Sequence, residues 1–431
     1  MEHEEKELQI LSASIIVDIA RCKSSDVDYL IRMGVIEKLI PLLYSPHEKV
    51  WSQAVLAYLN ISGDRAATRD LVLVQERITS RIIFLTEEQT TILNWSSLST
   101  STDEQSNNNE ERLENIRNLA WVIKNCCDRK PIPIFSYTKQ FVPTLMLLLE
   151  SSSSDEDILL YTFHAISRLT EIPEMEIDEL LTTGCISLMF EIYQRNNKVE
   201  SLRYYISLVC NNLVAGNEHR ISFVIHDLNG IELLYDNLAW KYSTDRFSSQ
   251  YSIDTRRKAC RALSNICAGT HEQVKKVVEH SHLLSLLSKM MNTSSYEIVD
   301  EIVWIIGNIS QYSDFIGRLI EFDCGHQMIT LLETRHSYLL NANMMNIKFF
   351  STCLDTIYHI GHFLQEDRLN IDAFEDFKEF LEEHGRLHRR LSTATVNLQV
   401  RARALQILLS FFTDEIDETR GNDQRNLINE G

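Results

Sequence analysis

The chain has 431 residues, 44% of them hydrophobic, with only 13 Gly and 6 Pro, a balance that favours dense helix with short connections. Lys plus Arg number 42 against 61 Asp plus Glu, a formal charge of −19, and such a field repels nucleic acid and anionic membranes while attracting basic ligands. No apolar run reaches the roughly 18 residues a membrane-crossing helix needs, and MEHEEKELQ lacks the basic-then-apolar order of a signal peptide.

In chain order, residues 1–7 are acidic and expected to fray. Residues 8–20 read as the last helix of a truncated first unit. Residues 26–45 supply two helices, with Gly34 between them and LIPLL as a core run, and 49–62 supply a third. The stretch 86–110 contains STSTDEQSNNNEE, polar and low in complexity, and is expected to be a disordered loop. The helical pattern resumes over 113–149, 157–193 and 199–238. An insertion with two aromatic clusters follows at 240–254. Ala259, Ala262, Leu263 and Ile266 then fall at helical spacing, and the pattern restarts over 298–309 as IVDEIVWIIGNI. The last recognisable helix of this kind covers 350–363, a C-terminal cap runs to 412, and 413–431 is a polar tail expected to be disordered.

One signature recurs. AVLAYLNISGD ends a helix around Asn60, LAWVIKNCCD holds Asn125, VCNNLVAGN holds Asn212, and Asn265 and Asn308 stand 43 residues apart. Weaker copies place Asp18, Arg168 and His359 at the same step, giving eight such helices. A period of about 40–47 residues belongs to helical solenoids of the HEAT or armadillo kind, which need about three repeats to bury a continuous core. The predicted fold is therefore all-α, a right-handed superhelical solenoid of armadillo repeats over 8–412.

The resemblance then becomes specific. SPHEKVWSQAVLAYLNISGDRAATRDLV (Ser45 to Val72) is similar to the early repeats of importin-α, the nuclear-import adaptor. NLAWVIKNCCDRKPIPIFSYTKQFVPTLMLLL resembles the next repeat, including its loop prolines Pro131 and Pro133, and residues 259–269 and 303–310 resemble late repeats. In that family a tryptophan and an asparagine, four residues apart on each third helix, line a peptide groove. Successive tryptophans hold lysine stems, the asparagines bond the peptide backbone, and acidic residues accept the ammonium groups. The resemblance implies an adaptor for proteins carrying Lys/Arg-rich nuclear-localisation signals, needing no cofactor and working in cytoplasm and nucleus. It carries over onto the pairs Trp121–Asn125 and Trp304–Asn308, onto Asn60, Asn212 and Asn265, onto Asp64 as the acceptor of the key lysine, and onto Glu301 as an acid of the second site.

The sequence also departs from the family. Leu56, Leu208 and Arg261 stand where a tryptophan is usual, His164 and Arg168 replace a whole pair, and Lys258 replaces an acid. Arg168 and Arg261 would oppose a basic peptide. The family's basic importin-β-binding segment has no counterpart, since residues 1–12 hold Lys6 as their sole fixed positive charge, so importin-β binding through it is not expected. Other readings of single residues stay open. An asparagine at this step also serves inter-repeat hydrogen bonding, a solenoid tryptophan also packs in cores, and Asp64 could be a helix-end turn residue. The alternative function is an armadillo scaffold with its groove repurposed for a different protein partner.

Catalysis and metal binding are not expected. The nine cysteines show no metal-ligand spacing, and His384 and His388 lack the HExxH order and a third ligand. No phosphate loop or nucleophile elbow is present.

Overall fold

The structure is a computed structural model that describes residues 2–96, 103–151, 155–197, 199–240, 250–334, 344–366, 371–384 and 398–412. It contains two compact units, Met1–Asn212 and Leu213–Gly431. Every regular element among the described residues is helical.

The first unit opens with α1 (Glu2–Cys22). Helix triplets follow: α2 (Ser24–Arg32), α3 (Val35–Leu43) and α4 (Glu48–Asp64), then α5 (Ala66–Leu73), α6 (Glu76–Ser96) and α7 (Asp103–Cys127). The next are α8 (Phe135–Thr138), α9 (Val142–Ser151) and α10 (Glu156–Leu169), and lastly α11 (Glu174–Thr182), α12 (Cys185–Arg195) and α13 (Glu200–Val214), in which the unit ends. α1 packs on α4, α4 on α7, and α7 on α10. The expected third helices thus stack in series, an all-α armadillo-repeat solenoid.

The second unit repeats the plan. It holds α14 (Glu218–Ser222), α15 (Gly230–Ala239) and α16 (Gln250–Cys267), then α17 (His271–Glu279), α18 (Leu283–Thr293) and α19 (Tyr296–Ile309). α20 (Ser313–Glu321), α21 (Cys324–Thr334) and α22 (Met344–Glu366) follow, with α23 (Ile371–His384) and α24 (Leu398–Phe411) at the end. α16 packs on α19 and α19 on α22.

Local chemistry explains the repeat. A left-handed residue separates the first helix from the second: Gly34 (φ 72°), Gly184 (φ 75°), Asn229 (φ 50°) and Asp323 (φ 60°). Gly, Asn and Asp are the residues that take this conformation at least cost. Side chains cap several starts: the Asp155 carboxylate accepts from the Ile158 N–H at 2.9 Å, and the Asn217 side-chain oxygen accepts from the Arg220 N–H at 3.1 Å. Each third helix buries its apolar stripe; on α19 Ile298, Ile302, Ile305 and Ile309 are all nearly inaccessible.

The structure corrects several expected boundaries. Residues 2–7, set apart from the first helix in the sequence reading, open α1. Most of the loop expected at 86–110 is helix, because α6 runs to Ser96 and α7 starts at Asp103. Averaged polarity concealed the reason: Leu85, Thr86, Gln89 and Thr90 are buried at helical spacing, and Leu93 and Leu113 pack on a core of Ile116, Ala120, Leu148 and Ile158. Residues 250–254 of the expected insertion belong to α16. Residues 97–102, the rest of that insertion from 241 to 249, and the tail 413–431 lie outside the described residues.

Candidate functional site

Four of the expected residues meet in one place. A cavity of 460 Å³ opens where the end of α1 and the start of α2 approach the third helices α4 and α7, and its wall includes Asn60, Asp64, Trp121 and Asn125. Gly63 permits the approach, since a Cβ there would lie 2.8 Å from Asn125 Nδ2.

Trp121 is 39% exposed and stacks on Tyr161 of α10, with ring centroids 5.2 Å apart and planes at 18°. The stack is one step of a ladder. The residue four before the asparagine step meets the residue seven before that step in the next repeat. His164 stacks on Tyr205 in the same way, at 5.1 Å, and Arg261 lies in the electrostatic reach of Glu301. Trp121 thus packs on a tyrosine, while His164 stands at the position of the next repeat that matches Trp121. Tyr161 was not singled out from the sequence, although its offset from Arg168 matches that of Glu301 from Asn308.

The asparagines bind the solenoid itself. Asn125 Nδ2 donates to the Leu59 carbonyl at 3.0 Å, Asn308 Nδ2 to the Ser264 carbonyl at 3.2 Å, and Asn212 Nδ2 to Thr170 Oγ1 at 3.0 Å. Each therefore ties its helix to the preceding repeat. Asn125 Oδ1 also receives Lys124 Nζ at 3.3 Å, so both ends of that amide are engaged. Asn60 Nδ2, by contrast, is buried without a hydrogen-bond partner.

Asp64 is not the open acceptor expected from the resemblance. Its side chain is 11% exposed, Ser24 Oγ donates to Oδ1 at 2.5 Å, and Arg65 donates to Oδ2 at 2.6 Å while also pairing with Asp28. Four cations, Arg21, Lys23, Lys124 and Arg129, also line the cavity, together with the uncharged Ala20, Cys22, Ser24, Leu59 and Gly63. Lys124 shares its charge with Asp128 at 3.2 Å, and Arg129 donates to the Gly63 carbonyl.

Asp128 anchors a second cluster. It receives Arg168 Nε at 2.9 Å and lies 3.3 Å from His164 Nε2. Burial alone would raise its pKa, but the His164 hydrogen bond and charge, the Arg129 backbone and Lys124 outweigh burial and hold the carboxyl well below the usual range. Burial also pushes His164 down, partly offset by Asp128. Arg168, expected to oppose a cation, is instead paired with Asp128 and Glu171.

In the second unit Glu301, Trp304 and Asn308 share α19, with Trp304 and Asn308 half-buried. Burial raises the Glu301 carboxyl, while Arg261, Arg257 and Lys258 oppose the rise. The predicted surplus of cations around this acid is present. Asn265, on α16, is half-buried as well.

Among the described residues no group of three or more His, Cys, Asp or Glu side chains could hold a metal, and no helix is long and apolar enough to cross a membrane. His384 meets Glu333 at 2.9 Å, and His388 lies outside the described residues. All nine cysteines are free and Cys22 alone is exposed; burial pushes the Cys126 and Cys210 thiols up to about 12.

No protein-family model matches the chain. The curated proteins it resembles are importin alpha subunits. It is 23% identical to importin subunit alpha-1a of Oryza sativa subsp. japonica over 275 residues, covering 63% of this chain and 45% of that protein. It is 29% identical to importin subunit alpha-6 of Arabidopsis thaliana over 180 residues, covering 42% and 29%. The chain thus spans less than half the length of these relatives. The crystal structure of an engineered protein matches 93% of this chain and 94% of its own with a TM-score of 0.61 at 16% identity, a likeness of fold alone.

Proposed function

We propose that the chain is a divergent importin-α-like armadillo scaffold whose third-helix face holds an extended segment of a protein partner, in a groove no longer suited to Lys/Arg-rich signals. The observation that carries this reading is the cavity of the first unit, where a half-exposed tryptophan stands among four basic side chains and the one acid has both oxygens engaged. A lysine ammonium entering there meets like charge instead of an open acceptor. In the second unit Arg257, Lys258 and Arg261 surround Glu301 with the same bias.

A second reading, the import adaptor for nuclear-localisation signals in cytoplasm and nucleus, is favoured by the Trp121–Asn125 and Trp304–Asn308 spacing and by the importin alpha subunits among the relatives. Isothermal titration calorimetry at low and high salt separates the two. With a lysine-rich signal peptide and a neutral peptide of equal length, the scaffold reading expects the lysine-rich peptide to bind no more tightly than the neutral one. A lysine-rich peptide binding tenfold or more tightly, with an advantage that shrinks in salt, would make the import adaptor the better account.

A further inference from the structure

The sign of the cavity runs against the sign of the chain. Acidic residues outnumber basic ones by 61 to 42, yet Arg21, Lys23, Lys124 and Arg129 line one concavity around a single carboxylate. That carboxylate, Asp64, is held by Ser24 and by Arg65, which also pairs with Asp28. Lys124 has a partner in Asp128, while Arg21 and Lys23 make no ion pair among the described residues. The basic residues are not gathered by sequence alone: Arg21 and Lys23 come from the α1–α2 corner, Lys124 and Arg129 from α7 and the turn after it.

From this juxtaposition we infer that the first-unit cavity is a seat for an acidic segment of a partner protein, with Asp or Glu carboxylates against these cations and a neighbouring apolar residue against Trp121. The inference rests on the scaffold reading and names its ligand class. At 460 Å³ the cavity falls within the roughly 300–1,000 Å³ usual for ligand sites. A concavity lined by one sign of charge focuses its field and raises the local concentration of opposite charge. Carboxylates accept charge-assisted hydrogen bonds from guanidinium and ammonium groups, and Trp121 adds the apolar contact that a free inorganic anion cannot use. Trp121 is the one aromatic among the cavity's lining residues, whereas single-stranded nucleic acid stacks successive bases on several aromatic side chains, so the wall favours a peptide.

Fluorescence anisotropy on the full chain tests this with labelled 12-residue peptides: one Glu-rich with a central Phe, one neutral with the same Phe, and one Lys-rich. A single-stranded oligonucleotide of matching charge is titrated in parallel. The Glu-rich peptide is expected to bind most tightly, to lose affinity in salt, and to resist competition by inorganic phosphate at equal concentration. Arg21→Glu with Lys23→Glu, both exposed positions without ion-pair partners, should weaken it about tenfold, the worth of one charge-assisted contact. Lys38→Glu with Lys276→Glu makes the same change in net charge on exposed helix surfaces elsewhere and should leave it unchanged. Equal loss in both double variants overturns the inference, as does tighter binding of the oligonucleotide. If the neutral peptide binds and the Glu-rich one does not, the acidic ligand class is wrong while the scaffold reading stands. If no peptide binds, both fall.

Discussion

Arg69→Met is expected to destabilise the first unit by about 3 kcal/mol or more. Arg69 lies on α5 with 1% of its surface exposed. One terminal nitrogen donates to the carbonyls of Asp128 at 2.5 Å and Arg129 at 2.8 Å, and the other to the Pro131 carbonyl at 2.9 Å and to Asp70 at 2.7 Å. Nε adds a further bond to Asp70 at 2.9 Å. Methionine fills much of the same volume but donates nothing, so the part-buried carbonyls of Asp128, Arg129 and Pro131 lose their donor. Each orphaned buried acceptor costs about 1–3 kcal/mol, and the values do not add in full. At about 2–4 °C per kcal/mol for a unit of this size, thermal unfolding should fall by roughly 6–12 °C. A fall of less than about 2 °C would mean that the turn after α7 is held by something else. Function is coupled to the same network, because that turn carries Arg129 into the cavity and Asp128 behind Lys124.

Trp121→Ala is expected to weaken binding of the preferred peptide by about thirtyfold, the effect of removing a central aromatic anchor worth about 2 kcal/mol. The residue is half-exposed and lines the cavity, so it can be covered by a ligand. Truncation also removes the stack on Tyr161, which contributes about 0.5–1.5 kcal/mol, so stability should drop modestly without loss of fold. Trp121→Phe keeps part of the aromatic face and should restore much of the affinity. Trp304→Ala should have less effect, because Trp304 lies in the second unit, outside the cavity that Trp121 lines. Equal losses at Trp121 and Trp304 would contradict a seat confined to the first unit.

The repeat was legible in the sequence for a physical reason. A third helix must bury the same stripe against each neighbour, so Asn60, Asn125, Asn212, Asn265 and Asn308 recur at one helical step. The Trp121–Asn125 and Asn60–Asp64 spacings likewise placed those residues on the faces that bound the cavity. What the side chains do there was not legible. Asp64 reads as a free acid until Ser24, distant in sequence, and Arg65 fold onto it. Asn125 reads as a peptide clamp until its amide meets the Leu59 carbonyl. Lys124 and Arg129 flank Asn125 in plain view, but their charge matters only once Arg21 and Lys23 arrive from the α1–α2 corner. The helical parts of 86–110 were missed because mean polarity concealed buried Thr86, Gln89 and Thr90.

The central claim is that a partner segment lies on the third-helix face at the first-unit cavity, and photo-crosslinking tests it most directly. A Glu-rich peptide carrying one benzophenone is irradiated with the full chain, and the adducts are mapped by mass spectrometry. The account expects adducts on residues 20–24 and 59–64 and on the segment around Trp121, competed away by unlabelled peptide. Adducts confined to the second helices α3, α6 and α9, or unaffected by competitor, would contradict it.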